Sequence, residues 1–191
     1  MELLPGDRDS IFGQLVSQAA AGGLPFLLIG GNAVVGHGYQ RMTRDIDLLV
    51  HDRDRAAWDS LITGLGYGRY DTRDAFHMYH APARGHPPLD LMFVDASTFA
   101  KLSAYPATCV LHQVEIPIPR LSHLLALKLH ALKGGAAHRY ERDMGDVVEL
   151  IRINRVDLAD PEFTAIFDRY ATEPIRREVE RRLAGPGASR A

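Results

Sequence analysis

Between Gly30 and Asp47 the chain reads Gly30-Gly31-Asn32-Ala33, then His37-Gly38, then Arg41-Met42-Thr43-Arg44-Asp45-Ile46-Asp47. This stretch constrains fold and chemistry more than any other. Ahead of it Pro25 opens an apolar run, Phe26-Leu27-Leu28-Ile29, which reads as a buried strand ending on the glycine pair. Asn32 to Gly38 reads as a short helix. Paired glycines between a strand and a helix let backbone N–H groups approach phosphate oxygens, and the helix N-terminus favours the anion. Ile46 to Val50 reads as a second strand, reached through the polar hinge Gln40 to Arg44. Asp45 and Asp47 stand two apart, so on an extended chain both side chains leave by the same face. Two carboxylates on one face repel unless a cation lies between them, and Mg²⁺ held by carboxylates and substrate phosphates is the common solution. A Gly-Gly turn alone is usually only a turn, and a lone Asp-x-Asp is usually a surface feature. The order strand, Gly-Gly, helix, strand with Asp-x-Asp carries far more weight than either half. For Arg41 and Arg44 three readings stay open: an ion pair with Asp45 or Asp47, a solvated hinge, or a phosphate contact.

The rest of the chain gives this segment a setting. Its 191 residues suffice for one domain plus a helical appendage. With 46% hydrophobic and 24% charged residues it is of ordinary globular composition. A net charge of −2 excludes a uniformly basic nucleic-acid binder, though not a local basic patch. The single cysteine, Cys109, cannot close an intramolecular disulfide. The first ten residues carry Glu2, Asp7 and Asp9 and lack the basic-then-apolar pattern of a signal peptide. No apolar run reaches the ~20 residues of a membrane span, so the expectation is a cytoplasmic protein with no membrane partner.

Periodicity places a first helix capped by Asp9 or Ser10 and stopped at Gly22-Gly23. A helix through Ala56 to Leu65 follows the second strand. Strands at 75–81 and 88–94 flank the hairpin-like connection 82–87, a helix covers 95–103, and 108–114 is a weaker strand. From Leu121 onward the pattern turns helical: Leu124 to Leu132, Glu141 to Ile153, Phe163 to Tyr170 and Ile175 to Leu183. The expected organisation is α+β. A mixed β-sheet flanked by helices fills residues 1–118, a C-terminal helical bundle 119–185, and a frayed tail 186–191. His77 and His80 stand three apart on a strand and face opposite sides, which argues against a histidine metal site. His123, His130 and His138 read as packing or surface residues, with His130 also able to line a cleft.

The glycine pair and the Asp-x-Asp together resemble the nucleotidyltransferase superfamily of the DNA polymerase beta type. The fuller pattern, Gly30-Gly31-x-Ala33 with His37-Gly38 and Arg41-x-Thr43-x-Asp45-Ile46-Asp47, resembles the AbiEii-type toxin branch and its minimal relatives. It is also similar to the aminoglycoside and lincosamide nucleotidyltransferases. The resemblance implies Mg²⁺ ligated by Asp45 and Asp47, with Gly30 and Gly31 positioning the phosphates of an NTP. It also implies a third carboxylate on a neighbouring strand. Asp90, in the apolar run Leu89 to Val94, is the favoured position, because an uncompensated aspartate there would be expensive to bury. Asp95 is the alternative, although its place after the strand suits a helix cap.

A weaker likeness covers the helical half. Lys128, Arg139, Arg142, Asp143 and Asp146 follow the layout of AbiEii-type proteins, in which a helical lysine and a downstream aspartate belong to the active site. Lys128 paired with Asp143 across a helix hairpin is the sharper reading, and a snorkelling lysine the plainer one. Asp146 could instead pair with Arg142 at i,i+4. The activity implied is transfer of a nucleotide to an acceptor hydroxyl: an RNA such as a tRNA 3′ end, for the toxin of a toxin–antitoxin pair with a cognate antitoxin. The alternatives are an antibiotic nucleotidyltransferase and a catalytically silent binding or antitoxin-like module.

Overall fold

Strand β2 (Ile46–His51) lies inside a five-stranded mixed sheet of order β1-β2-β5-β4-β3. The computed structural model describes residues 11–134 and 137–185, and for Ala137 and His138 the backbone alone. The expected caps Asp9 and Ser10, the His138 side chain and the tail 186–191 lie outside the described residues. The chain divides into two units, residues 1–36 with 41–119, and residues 37–40 with 120–191.

In the first unit, α1 (Ile11–Ala21) leads through Gly22-Gly23 to β1 (Phe26–Leu28), and α2 (Gly30–Gly36) follows at once. β1 runs antiparallel to β2. A short 3₁₀ turn (Asp52–Asp54) then leads into α3 (Arg55–Gly64). β3 (Gly68–Arg73) and β4 (Phe76–His80) form a hairpin, and β4 runs antiparallel to β5 (Leu89–Val94). β5 in turn runs parallel to β2. After α4 (Ala96–Leu102) the hairpin β6 (Ala107–Leu111) and β7 (Val114–Ile118) closes the unit.

Alternation on the central strands sorts side chains between two faces. Ile46, Leu48, Val50, Leu89, Leu91, Phe93, His77 and Tyr79 share one face by register, and all are buried. Trp58 of α3 meets Phe26 edge-on there, at 5.7 Å between ring centroids. The opposite face carries Asp47, Asp90 and Met78, all half-buried. On that face Asp47 and Asp90 keep partial exposure beside the buried Leu49.

Two expectations are corrected. The stretch 68–73, whose residue pattern announces no element, is strand β3; it lies at the sheet edge and is almost wholly exposed, so it lacks apolar alternation. The single strand expected at 108–114 is instead a hairpin that turns at His112-Gln113, both with positive φ (47° and 63°). Neither residue is the Asn or Gly that normally announces such a turn.

In the second unit, α5 (Leu121–Gly134) packs against α6 (Ala137–Ile153) and α7 (Pro161–Tyr170), and α6 against α8 (Glu173–Ala184). Leu124, Leu125, Leu129, Met144, Val147, Ile151, Phe167 and Val179 form its core. Asn154 donates to the His37 carbonyl at 3.1 Å, which ties residues 37–40 to the end of α6. Among the described residues no helix is long and apolar enough to cross a membrane.

Candidate active site

Asp47 and Asp90 are direct register partners on the parallel strands β2 and β5. Parallel neighbours lie roughly 4.8 Å apart and point matched side chains to one face. The structure therefore brings together two carboxylates far apart in sequence. Asp45 stands two residues ahead of Asp47, just before β2 begins, and is likewise half-buried. Its backbone carbonyl accepts from the Asn32 side chain at 2.8 Å, and its carboxylate accepts from the Thr43 hydroxyl at 3.3 Å. Asn32 is itself buried at the start of α2, so one bond links the helix to the Asp-x-Asp segment. The sequence gives Asn32 only a place at the helix start; its bond to Asp45, thirteen residues on, emerges from the fold.

The glycine pair meets the carboxylates directly. A Cβ on Gly30 would lie 1.8 Å from Asp47 Oδ2, and Gly30 has φ +61°. Only glycine combines that backbone with that approach. A Cβ on Gly31 would lie 2.4 Å from Thr43 Oγ1 and 3.1 Å from Arg41 Nη1. Thr43 and Arg41 thus close over Gly31, while Asp47 closes over Gly30. Arg41 also donates to the Met42 carbonyl at 3.0 Å, and Arg44 lies exposed on the same connection.

Asp95 serves the next helix. Its carboxylate accepts from the Ser97 hydroxyl at 2.7 Å and from the Thr98 N–H at 2.9 Å, as a cap for α4. The Ser97 hydroxyl, and then the Thr98 N–H, hold it well below the usual carboxylate range. The buried face of the sheet holds a separate polar group. His77 Nδ1 contacts Asp59 at 2.8 Å, and Arg55 lies 3.1 Å from His77 Nε2. A guanidinium can only donate, so Nε2 accepts and the ring proton sits on Nδ1, facing Asp59. Tyr79 and Arg69 also donate to Asp59. His77 is buried and His80 exposed, on opposite sides of β4.

In the second unit Lys128 Nζ lies 2.8 Å from Asp143 and 2.8 Å from Asp146. The three side chains are 8%, 3% and 1% exposed. Arg139 Nε, 4.0 Å from the other Asp143 oxygen, balances the second negative charge. Lys128 is therefore no snorkelling side chain; it is a buried cation between two carboxylates, and Asp146 pairs with it. His130 is exposed and packs edge-on to Tyr170.

Comparison with known families matched residues 14–188 to the model described as nucleotidyl transferase AbiEii toxin, Type IV TA system. No match was found among curated proteins. Among solved structures the chain is similar to ANT(2")-Ia in complex with adenylyl-2"-tobramycin, with a TM-score of 0.66 at 14% identity over 84% of this chain and 97% of that one. It is also similar to an antigenic nucleotidyltransferase-like protein from Paracoccidioides brasiliensis, with a TM-score of 0.55 at 13% identity over 93% of this chain and 94% of the other. The lincomycin-bound lincosamide antibiotic adenylyltransferase LnuA follows, with a TM-score of 0.54 at 11% identity over 78% and 99% of the respective chains. At such identities the likeness is one of fold.

Proposed function

The chain belongs to the nucleotidyl transferase AbiEii toxin family, and on that premise we propose that it moves a nucleoside monophosphate from an NTP to the terminal hydroxyl of an RNA, with a tRNA 3′ end as the leading acceptor. In this reading it is the toxin of a toxin–antitoxin pair and has a cognate antitoxin as partner. The observation that carries the site assignment is the register of Asp47 against Asp90, beside a glycine pair that the Asp47 carboxylate overhangs.

Asp45, Asp47 and Asp90 offer hard carboxylate oxygens, the donor type Mg²⁺ takes. Among the described residues no group of three or more His, Cys, Asp or Glu side chains is placed to hold a metal ion by itself. Bound there, Mg²⁺ would neutralise charge on the triphosphate and on the departing pyrophosphate. Gly30 and Gly31 present backbone to the phosphates, and Arg41 and Arg44 stand on the adjoining connection as further phosphate contacts. The acceptor oxygen forms its bond to the α-phosphorus as the bond to the bridging oxygen breaks. Pyrophosphate leaves, and the hydroxyl proton passes to Asp90 or to water.

Lys128 and Asp143 enter the proposal on the family pattern of a helical lysine with a downstream aspartate. Their test has to separate catalysis from stability, because both belong to a buried ion cluster.

The deciding experiment incubates the protein with Mg²⁺, each labelled NTP in turn, and total tRNA, with an aminoglycoside and a lincosamide in parallel arms. Label on tRNA is expected. Label on an antibiotic alone would overturn the RNA reading in favour of a small acceptor. Expression in a bacterium should arrest growth, and Asp45→Ala should relieve the arrest; identical behaviour of the two would remove the toxin role.

A further inference from the structure

One strand out from Asp90, the same sheet face carries an exposed pair of rings with no part in the chemistry described so far. Met78 is the register partner of Asp90, and Met78 and His80 leave β4 by one face. A register irregularity between Arg69 and Asp71 sets Tyr70 out of the β3–β4 ladder. Its ring stacks on His80, with centroids 3.9 Å apart and planes 14° from parallel. The Tyr70 hydroxyl lies 3.7 Å from Met78 Sδ, which brings it toward the carboxylate row. Tyr70 is nonetheless 52% exposed. An ordered, half-exposed aromatic stack beside a row of carboxylates is a surface that costs apolar exposure and contributes little to the core.

We propose that the Tyr70–His80 stack is the acceptor platform, on which the terminal nucleobase of a single-stranded RNA end stacks so that its ribose hydroxyl lies toward Asp90. This deepens the proposed reaction and rests on it for the choice of acceptor. Charge decides between the parts of a nucleotide that could bind here. Asp71 and Asp90 flank the rings and repel phosphate, with Asp71 paired to Arg73 at 2.9 Å. A neutral base has a π-face for the rings and ring or amino N–H donors for the carboxylates. Stacking on exposed aromatic side chains is how unpaired RNA ends are commonly held, and it tolerates any base. Partial loss of water, and then the charges of Asp90 and Asp71, hold the Tyr70 phenol above its ordinary range.

The test uses the full chain and a single-stranded oligoribonucleotide with 2-aminopurine at its 3′ end, whose fluorescence reports stacking without any turnover. Wild type should quench the probe. Tyr70→Ala should raise its Kd roughly tenfold or more, His80→Ala should weaken binding as well, and Tyr70→Phe, which keeps the ring, should restore most of the affinity. The Kd for NTP, measured by calorimetry on the same proteins, should not follow this series. Wild-type affinity in Tyr70→Ala, failure of wild type to bind the probe, or weakening of NTP in place of the probe would overturn the platform. The two readings fail separately. If wild type quenches the probe in the expected pattern but transfers no label to RNA, the reaction falls and the platform stands. If label transfer proceeds with an unchanged KM for RNA in Tyr70→Ala, the platform falls and the reaction stands.

Discussion

Gly30 shows how little latitude the site leaves a single residue. Its φ of +61° and the 1.8 Å separation between a would-be Cβ and Asp47 Oδ2 exclude every side chain. Gly30→Ala should cost about 1–2 kcal/mol for the left-handed backbone alone, more once the Asp47 carboxylate is displaced, and nucleotide transfer should collapse with it. Urea unfolding and a label-transfer rate check this together; wild-type values for both would show that the carboxylate does not rest on Gly30. Asp47→Asn separates stability from chemistry. The amide keeps the side chain's size and removes its charge, so transfer should fall roughly 10²-fold or more, well beyond any change in melting temperature. A fall in melting temperature matching the loss of rate would mean that Asp47 acts through folding.

At the scale of elements, two buried polar clusters tie secondary structure together. Lys128→Met removes from α5 the cation that Asp143 and Asp146, three residues apart on α6, share, and a stranded buried charge of this kind costs about 3–5 kcal/mol. The triple replacement Lys128→Met, Asp143→Leu, Asp146→Leu should recover most of that loss, since apolar packing often equals a buried ion pair. Calorimetry of both variants checks the balance. Transfer activity absent from the well-folded triple variant would then support a catalytic part for Lys128 and Asp143.

The second cluster joins α3 to the sheet through Asp59. Burial pushes this carboxyl up, but hydrogen bonds from Tyr79 and His77 and the charge of Arg69 outweigh it, so the folded-state value lies below the ordinary 3.8. A depressed carboxyl contributes stability that is complete above the unfolded-state value and fades as the pH falls through the folded one. Wild type should therefore lose stability below about pH 4 more steeply than Asp59→Asn. Parallel acid-side profiles in urea titrations at stepped pH would refute that part for Asp59.

For the molecule as a whole, the net charge of −2 bears on how an RNA could be held. Recognition through base stacking neutralises few phosphates, and each one neutralised on a single strand contributes roughly −0.7 to the slope of log affinity against log salt. The KM for an RNA acceptor should therefore rise only weakly across a salt series, with a slope of log KM against log salt below about +2. A steep slope would point to a basic groove and away from recognition through base stacking.

What could be read along the chain, and what could not, divides by the range of the interaction responsible. The strand–Gly-Gly–helix–strand order, the five-stranded sheet's apolar members and the C-terminal helices were legible, because side-chain periodicity and turn residues are local signals. β3 was not, because an exposed edge strand has no buried face to impose alternation, and the β6–β7 turn was not, because His112-Gln113 carries no turn signal. By itself the sequence singled out the residues proposed to carry chemistry: two aspartates two apart at the start of a strand, a glycine pair ahead of them, and an aspartate inside an apolar run. Only the tertiary structure decided that Asp90 stands opposite Asp47, that Asp47 overhangs Gly30, and that Lys128 is shared between Asp143 and Asp146. Register between distant strands and pairing across a helix hairpin are set by the packing of whole elements, and no local spacing encodes them.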